Sequence, residues 1–497
     1  MPIANYQNPG VYVTQVSNPA LAGANNNNLN ICFLAAAPSG SAPVAPQTDR
    51  FLLTSVSGVQ TFTLTQAGVQ NASVTLTNNT TGATLTSGTD YTNVLTSGVI
   101  TGFTTISGGS GISGVNGVGA NGYIRADYNY STAVPGVFYT FYDFNSVQNT
   151  FGAAFNFGST GAVTVNSPAT LAAYLAFQNG AQSVTCCNIT ITGGTNTPAT
   201  DQDFLNAIYG LVNVPNVDVI VPLKGITSSG TLGTGLNQFL GAQAGNGIYQ
   251  RAFIGMDSTV SGANLASTVS TITNSLNSTR ITLAVPQTVT VNPGLNSTTG
   301  ISTGTINVDG FYLAGALAGL FVGQEDVYIP ITHKTVQGLS GIPNQVSTSL
   351  STTIQSLGGT IVRQRNDGII YVRHGLTTNI TNWMTQEISI NAIGDRLAQN
   401  VQASIENSEV IGSPLTQTTL TSLQSIVLST LMRATSNNLI QGYQSPTFVI
   451  NPNNPTAVNV RFQYSPTFPL NYVQVTMSVN TQTGSITNVS NIGATAV

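Results

Sequence analysis

The sequence predicts an α/β core with an all-β domain inserted into it, an α+β C-terminal domain behind it, and an extended arm at each end. Three observations lead there. Between residues 136 and 345, short apolar runs alternate with helix-length segments, as in a parallel sheet covered on both faces. Between 51 and 135, short Thr/Val-rich segments are separated at regular intervals by Gly and Asn turns, as in a small sandwich or barrel. Beyond 346 come a hairpin, two long helices and two alternating strands. The expected units are an N-terminal arm (1–20), the core (21–50 and 136–345), the inserted β-sandwich (51–135), the C-terminal domain (346–464) and a closing strand and arm (465–497).

The arm holds "NPGVYVTQV" (8–16), a strand entered through Pro9, where no ladder donor is needed. "LNICFLAAA" (29–37) is an unbroken apolar run suited to a buried strand. The Pro/Ser/Gly/Ala-rich stretch 38–46 reads as a connection. In the insert, "TFTLT", "ASVTLTN", "ATLTSG", "GVITGF" and "YIRADYNY" are the expected strands, with 108–122 one long loop. In the core, "VTCCNITIT", "VDVIVPL", "RAFIGM" and "RITLAVP" are strands. Between and after them stand the helices "DQDFLNAIYGLVN", capped by Thr200 or Asp201, "GLNQFLGAQAG", "GANLASTVSTITNSLN" and "VDGFYLAGALAGLFVG". "TIVRQRNDGIIYVR" (360–373) is a hairpin turning on Asn366-Asp367-Gly368. A long helix is expected over Trp383–Glu406, with Ile393, Leu397, Val401 and Ile405 at near-four spacing. Ser413-Pro414 is expected to open a second one, with Leu420, Leu423, Val427 and Leu431 as its apolar face. In "VNVRFQY" Val458, Val460, Phe462 and Tyr464 alternate with polar residues; in "YVQVTMSVN" Val473, Val475, Met477 and Val479 do the same.

Charged residues make up 6% of the 497, against roughly 25% in an ordinary soluble domain. The net charge is −4, and no basic cluster offers a phosphate-binding surface, which argues against nucleic acid as a partner. A surface this poor in charge repels copies of itself weakly. It suits a subunit that packs against its own kind, or reflects a composition common to the proteins of its source. No run of eighteen apolar residues occurs, so no membrane insertion is expected. The start, "MPIANYQNPG", has neither the basic region nor the apolar core of a secretory signal. Cys32, Cys186 and Cys187 have no framework spacing, and a bridge between the adjacent pair would be strained.

Candidate chemistry is sparse. His333 and His374 are the two histidines available as bases at neutral pH. Ser340 in "GLSGI" fails the nucleophile-elbow pattern at Ile342. Gly117–Gly122 matches G-x-G-x-x-G, but a Gly-rich loop precedes it and a strand follows, the wrong context for a dinucleotide. Lys224 and Lys334 lack the phosphate-loop glycines. Glu325, Asp326 and His333 could form a ligand set, or simply a polar helix end, and no Cys pair has zinc spacing. No catalytic residue, metal or cofactor is therefore expected. Arg363, Arg365 and Arg373 flank the hairpin turn. They form either a basic strip facing an acidic partner or edge-strand charges that block unwanted pairing.

"PGVYV" at the start, "LNICFLAAAPSGSAPVAP", "GTDYTNV", "YIRADYNY", "VDGFYLAGALAGLFVGQEDVYIPITHK", "GIIYVRHGLTTN" and "NPNNPTAVNVRFQYSPTFPLNYVQVTMSV" together resemble the contractile tail sheath proteins of bacteriophages. No single piece is specific, but their order along the chain is. The chain departs from common forms of that family at His374-Gly375. The resemblance implies a subtilisin-like core used as a scaffold without protease activity. It implies homo-hexameric rings, stacked helically around a tail tube protein, with baseplate and tail terminator proteins as further partners. It places the protein in the virion, assembled in the host cytoplasm, where contraction would drive the tube through the host envelope. A contractile bacteriocin or injection system would use a similar sheath. A surface-layer protein or an α/β hydrolase with appended β domains are the remaining classes.

In that setting the arm strand has a destination: the sheet edge of another copy, whose unpaired N–H and C=O groups it can join. Val11 and Val13 would face one way and Tyr12, Thr14 and Val16 the other, with Tyr472–Asn480, which carries Val473, Val475, Met477 and Val479, as partner or counterpart. Residues 17–28 and 465–471 would then be the flexible tethers.

Overall fold

The computed structural model describes residues 29–471, apart from 37–43, 53–58, 67–68, 70–72, 80, 97–98, 107–122, 158–161, 193–197, 229 and 295–303. Its centre is a twisted sheet running, in order, Ile370–Val372, Gly359–Gln364, Ile281–Val285, Arg251–Met256, Val219–Pro222, Ile31–Ala35, Val184–Asn188 and Tyr139–Phe141. The six inner strands are parallel and the two edge strands antiparallel. Ile31 stands between Val184 and Val219, so the first described strand lies at the point where strand order reverses. Parallel strands covered on both sides read as unbroken apolar runs, and Ile31–Ala35, Val184–Asn188, Arg251–Met256 and Ile281–Val285 are buried at every position.

Two layers of helices cover the sheet. Ile31, Phe33, Val219, Val221 and Phe253 project into one core, Cys32, Leu34, Ile220, Ile254 and Leu283 into the other, the period-two alternation of a pleated strand. The second core is closed by Asp201–Gly210, Thr231–Gly245, Leu265–Leu276 and Thr348–Ser356. The first is closed by Pro168–Gln178 and Gly310–Val322. These two helices touch backbone to backbone: a Cβ on Gly319 would stand 2.6 Å from the Ala176 main chain, and one on Gly315 3.3 Å from the Phe33 ring. Thr200, not Asp201, caps Asp201–Gly210, in a reciprocal box with Asp203.

The inserted unit has its own core. Val44–Leu52, Tyr123–Ser131 and Thr75–Asn78 form one three-stranded sheet, and Thr61–Thr63, Val99–Thr105 and Tyr91–Thr96 another. Leu76, Phe103, Ile124 and Ala126 are buried in this core, with Phe51 and Phe62 against Phe103. Its first strand begins at Val44 and pairs along its whole length with Tyr123–Ser131, so residues 44–50 belong to the sheet of the insert. "ATLTSG" makes only isolated bridges and is not a strand.

The C-terminal domain packs its helices Ile388–Glu406 and Gln417–Ser436 onto the first core through Ile393, Leu397, Val401, Leu423, Val427 and Leu431. Three expectations are corrected here. The helix expected from Trp383 is interrupted at Glu387, whose backbone is extended because residues 386–388 pair with 375–377. Thr377 N donates to Gln386 O at 2.7 Å, and Ile388 N to Gly375 O at 3.2 Å. The next helix starts at Gln417 with Thr416 as N-cap; the Ser413 hydroxyl is occupied by Glu409 O. "VNVRFQY" is not one strand: Asn454–Arg461 pairs with Thr447–Asn451, and Tyr464–Pro466 with Ile440–Tyr443.

A buried ionic cluster joins domain to core. Asp395 of Ile388–Glu406 meets Arg251, at the start of its strand, and Arg280, whose Nη2 lies 2.9 Å from Asp395 Oδ1. Burial pushes the Asp395 carboxyl up and the Arg251 guanidinium down, while the two cations pull Asp395 back toward its ionised form.

Candidate assembly interface

Among the described residues no three His, Cys, Asp or Glu side chains stand together as a metal-ligand group. Asp326 pairs with Arg396, and the His333 ring stacks on Tyr371, so Asp326 and His333 serve different neighbours and do not join Glu325 in a ligand set. His374 Nε2 lies 2.7 Å from Glu387 Oε2. The three thiols are buried and free, and burial pushes each up, Cys187 to about 12. No helix among the described residues is long and apolar enough to cross a membrane.

The residues singled out for strand exchange, Val11, Tyr12, Val13, Thr14 and Val16 with Val473, Val475, Met477 and Val479, lie outside the described residues. What the structure does place is a surface able to receive a strand. Thr447–Asn451 and Asn454–Arg461 form a two-stranded antiparallel sheet that no third described strand joins. Phe448 opposes Val460 and Ile450 opposes Val458, with Phe448, Val458 and Val460 packed against the main core. On the other face Val449 is 57% exposed among Thr447, Asn459 and Arg461, and at the tip Ile450 is 43% exposed. A two-stranded sheet leaves one edge of each strand unpaired, a template for added strands, and a lone hairpin is of marginal stability. The first strand, "TFVIN", escaped the sequence reading; the Asn451-Pro452-Asn453-Asn454 turn between two β-branched runs is the signal that marks it.

The chain leaves this hairpin along a fixed course. Tyr464–Pro466 pairs with Ile440–Tyr443, Thr467 Oγ1 donates to Asn438 O at 2.5 Å, Phe468 packs on Trp383, and Asn471 Nδ2 donates to Glu387 Oε2 at 3.1 Å. Residues 465–471, expected to be a flexible tether, are therefore fastened to their own subunit.

Arg363, Arg365 and Arg373 are not one strip. Arg365 faces Asp367 at 3.6 Å across the turn and lies over the Tyr371 ring. Arg363 and Arg373 converge on the first turn of Thr348–Ser356: Arg363 Nη1 donates to Thr348 Oγ1 at 3.2 Å and Arg373 Nη2 to Thr352 Oγ1 at 3.1 Å.

No family model matches the chain. The "Tail sheath protein" of Mycobacterium phage Bxz1 is 28% identical over 368 residues, which are 74% of this chain and 59% of that protein; the chain thus spans under two thirds of its curated relative. Three solved structures share the fold. The anti-feeding prophage baseplate matches at a TM-score of 0.54 and 12% identity, over 96% of this chain and 99% of that one. The helical sheath of the same particle in the contracted state matches at 0.51 and 14%, over 70% and 89%. The sheath complex of an extracellular contractile injection system, PVC, also contracted, matches at 0.51 and 9%, over 96% and 99%. The likeness to contractile tail sheath proteins thus appears twice, in the sequence of a phage relative and in the fold of sheath subunits: a central mixed α/β sheet with several small sheets around it.

Proposed function

We propose that this chain is the structural subunit of a contractile phage tail sheath. Copies form six-subunit rings that stack helically around a tail tube and contract to drive the tube through the host envelope. The core acts as a subtilisin-like scaffold without catalysis, and the assembled sheath is part of the virion, built in the host cytoplasm. Its partners are other copies of itself, the tail tube protein, and baseplate and tail terminator proteins. The observation that carries this reading is the Thr447–Arg461 hairpin, a two-stranded sheet that no third described strand joins, with Val449 and Ile450 exposed, in a chain whose two ends hold segments of strand-like sequence.

The hairpin is the receiving surface, and the strands around Val11–Val16 and Val473–Val479 are what neighbours insert. Each added backbone hydrogen bond contributes on the order of 1 kcal/mol and each buried Val or Tyr about 2 kcal/mol, enough for five or six bonds to offset the cost of ordering an arm. Donated and receiving patches differ, so contacts propagate as rings and helices. Arg363 and Arg373, which bond to Thr348 and Thr352 but meet no carboxylate among the described residues, supply an electrostatic contact to an acidic neighbour. An injection-system sheath is the second reading, favoured by the anti-feeding prophage and PVC likenesses.

Electron microscopy of the full chain and of versions lacking 1–16 or 472–497 tests the reading. The full chain should form hollow cylinders and each truncated chain should stay folded without forming them. Normal cylinders from both truncations would overturn strand exchange.

A further inference from the structure

Glu387 is a buried carboxylate, 3% exposed, held in place by the break between two helices. Its Oε2 receives the His374 ring nitrogen at 2.7 Å and the Asn471 amide at 3.1 Å, and the amide nitrogen also lies 3.2 Å from His374 Nε2. The three residues come from three places: the segment after the Gly359–Val372 hairpin, the cap of Ile388–Glu406, and the last described residue of the C-terminal segment. Hydrogen bonds to a charged acceptor are the strong ones, and one made within a buried site is costly to lose. One step upstream, Phe468 lies on Trp383 with ring centroids 5.4 Å apart. The segment is thus fastened at two points before it reaches the strand-forming residues 472–480. His374 is one of the fasteners.

We propose that Asn471, held by Glu387 and His374, is the point at which the C-terminal segment is fixed to its own subunit, so that these residues position the strand given to a neighbour. Residues 465–471 are then an anchored stem rather than the hinge of the exchanged strand. A neighbour's pull passes into the Ile388–Glu406 helix and not into the short Tyr464–Pro466 pairing. This inference rests on the strand-exchange reading.

Trp383 is the chain's single tryptophan, so its fluorescence reports whether Phe468 is seated. In the full chain, Asn471→Ala and Glu387→Gln should raise the lifted fraction of the segment on the order of tenfold, seen as greater acrylamide quenching of Trp383. The same variants should give fewer and shorter cylinders. His374→Gln, which keeps a donor, should retain more of both properties than His374→Ala. Asn471 is half-buried, so its variant serves if Glu387→Gln fails to fold. Truncation after Asn471 should remove the cylinders while leaving quenching at the parent level. Parent quenching in Asn471→Ala, or altered quenching with parent cylinders, would overturn the proposal. Cylinders from this truncated chain alone would show that the C-terminal strand is not the one exchanged, and would overturn the positioning role while leaving exchange through the N-terminal arm standing.

Discussion

Asp203 uses both carboxylate oxygens. Oδ1 accepts from the Thr192 hydroxyl at 2.6 Å and from Thr192 N at 3.1 Å, and Oδ2 accepts from Thr200 N and its hydroxyl, each at 2.8 Å. The Thr192 hydroxyl bond above all, and then the Thr200 bonds, hold the carboxyl well below the usual carboxylate range. A depressed folded-state value means the contribution is complete above the unfolded value near ~4 and is lost as pH falls below it. Asp203→Ala should cost about 1–2 kcal/mol at neutral pH, and its deficit against the parent should shrink below pH ~4 in urea titrations. Asp395 behaves differently, because its role is to neutralise two buried guanidiniums. Asp395→Leu leaves Arg251 and Arg280 uncompensated and should cost about 3–5 kcal/mol by urea denaturation. The Thr200 cap was legible because Thr or Asp before a helix has a local mechanism. Asp201, the other candidate, accepts from Leu232 N at 3.1 Å and so caps the next helix, a fact of tertiary placement. The Arg–Asp–Arg cluster was not legible, since its members are brought together from positions 251, 280 and 395 only by the fold.

At the scale of elements, one dipeptide shows what local signals can decide. Ser167-Pro168 opens Pro168–Gln178 with the serine as cap, a helix passed over in the sequence because it is apolar nearly all round. Ser413-Pro414, read as such a start, is not one: Thr416 takes the cap and Ser413 bonds backward. The parallel core strands and the Gly310–Val322 helix were legible because full burial demands unbroken apolar runs. The break at Glu387 was not, because no Gly or Pro marks it and the pairing with 375–377 imposes it. The Gly310–Val322 helix carries the sharpest expectation at this scale. Its contact with Pro168–Gln178 leaves no room for a Cβ at Gly319, where the nearest atoms are rigid main chain 2.6 Å away. Gly319→Ala should therefore cost about 1–3 kcal/mol despite the better helix propensity of alanine, seen as a lowered melting temperature. Gly241→Ala, on the exposed face of Thr231–Gly245 with open space around it, should be neutral or stabilising.

For the whole molecule, charge is distributed in a way the composition alone does not convey. The first charged side chain is Asp49 and the last Arg461, so neither arm carries one, and the hairpin proposed to receive a strand carries only Arg461. Strand exchange between such partners is hydrogen bonding and apolar burial, which salt screens little. Cylinder yield, read by sedimentation, should therefore hold from about 0.05 to about 0.5 M salt, whereas an assembly led by the Arg363–Arg373 contact would fall away. The architecture was legible because order along the chain, more than any one motif, carries it. The Thr447–Arg461 hairpin was only half legible: its second strand alternates cleanly, but its first is short and polar at its ends. The three thiols described above lead to a last consequence. They sit inside the two core layers with their protons held fast. If copies of this chain line the wall of a contractile particle, as proposed, that wall can pass from reducing to oxidising surroundings without sulfur chemistry welding one subunit to the next, and any sliding between them stays unobstructed.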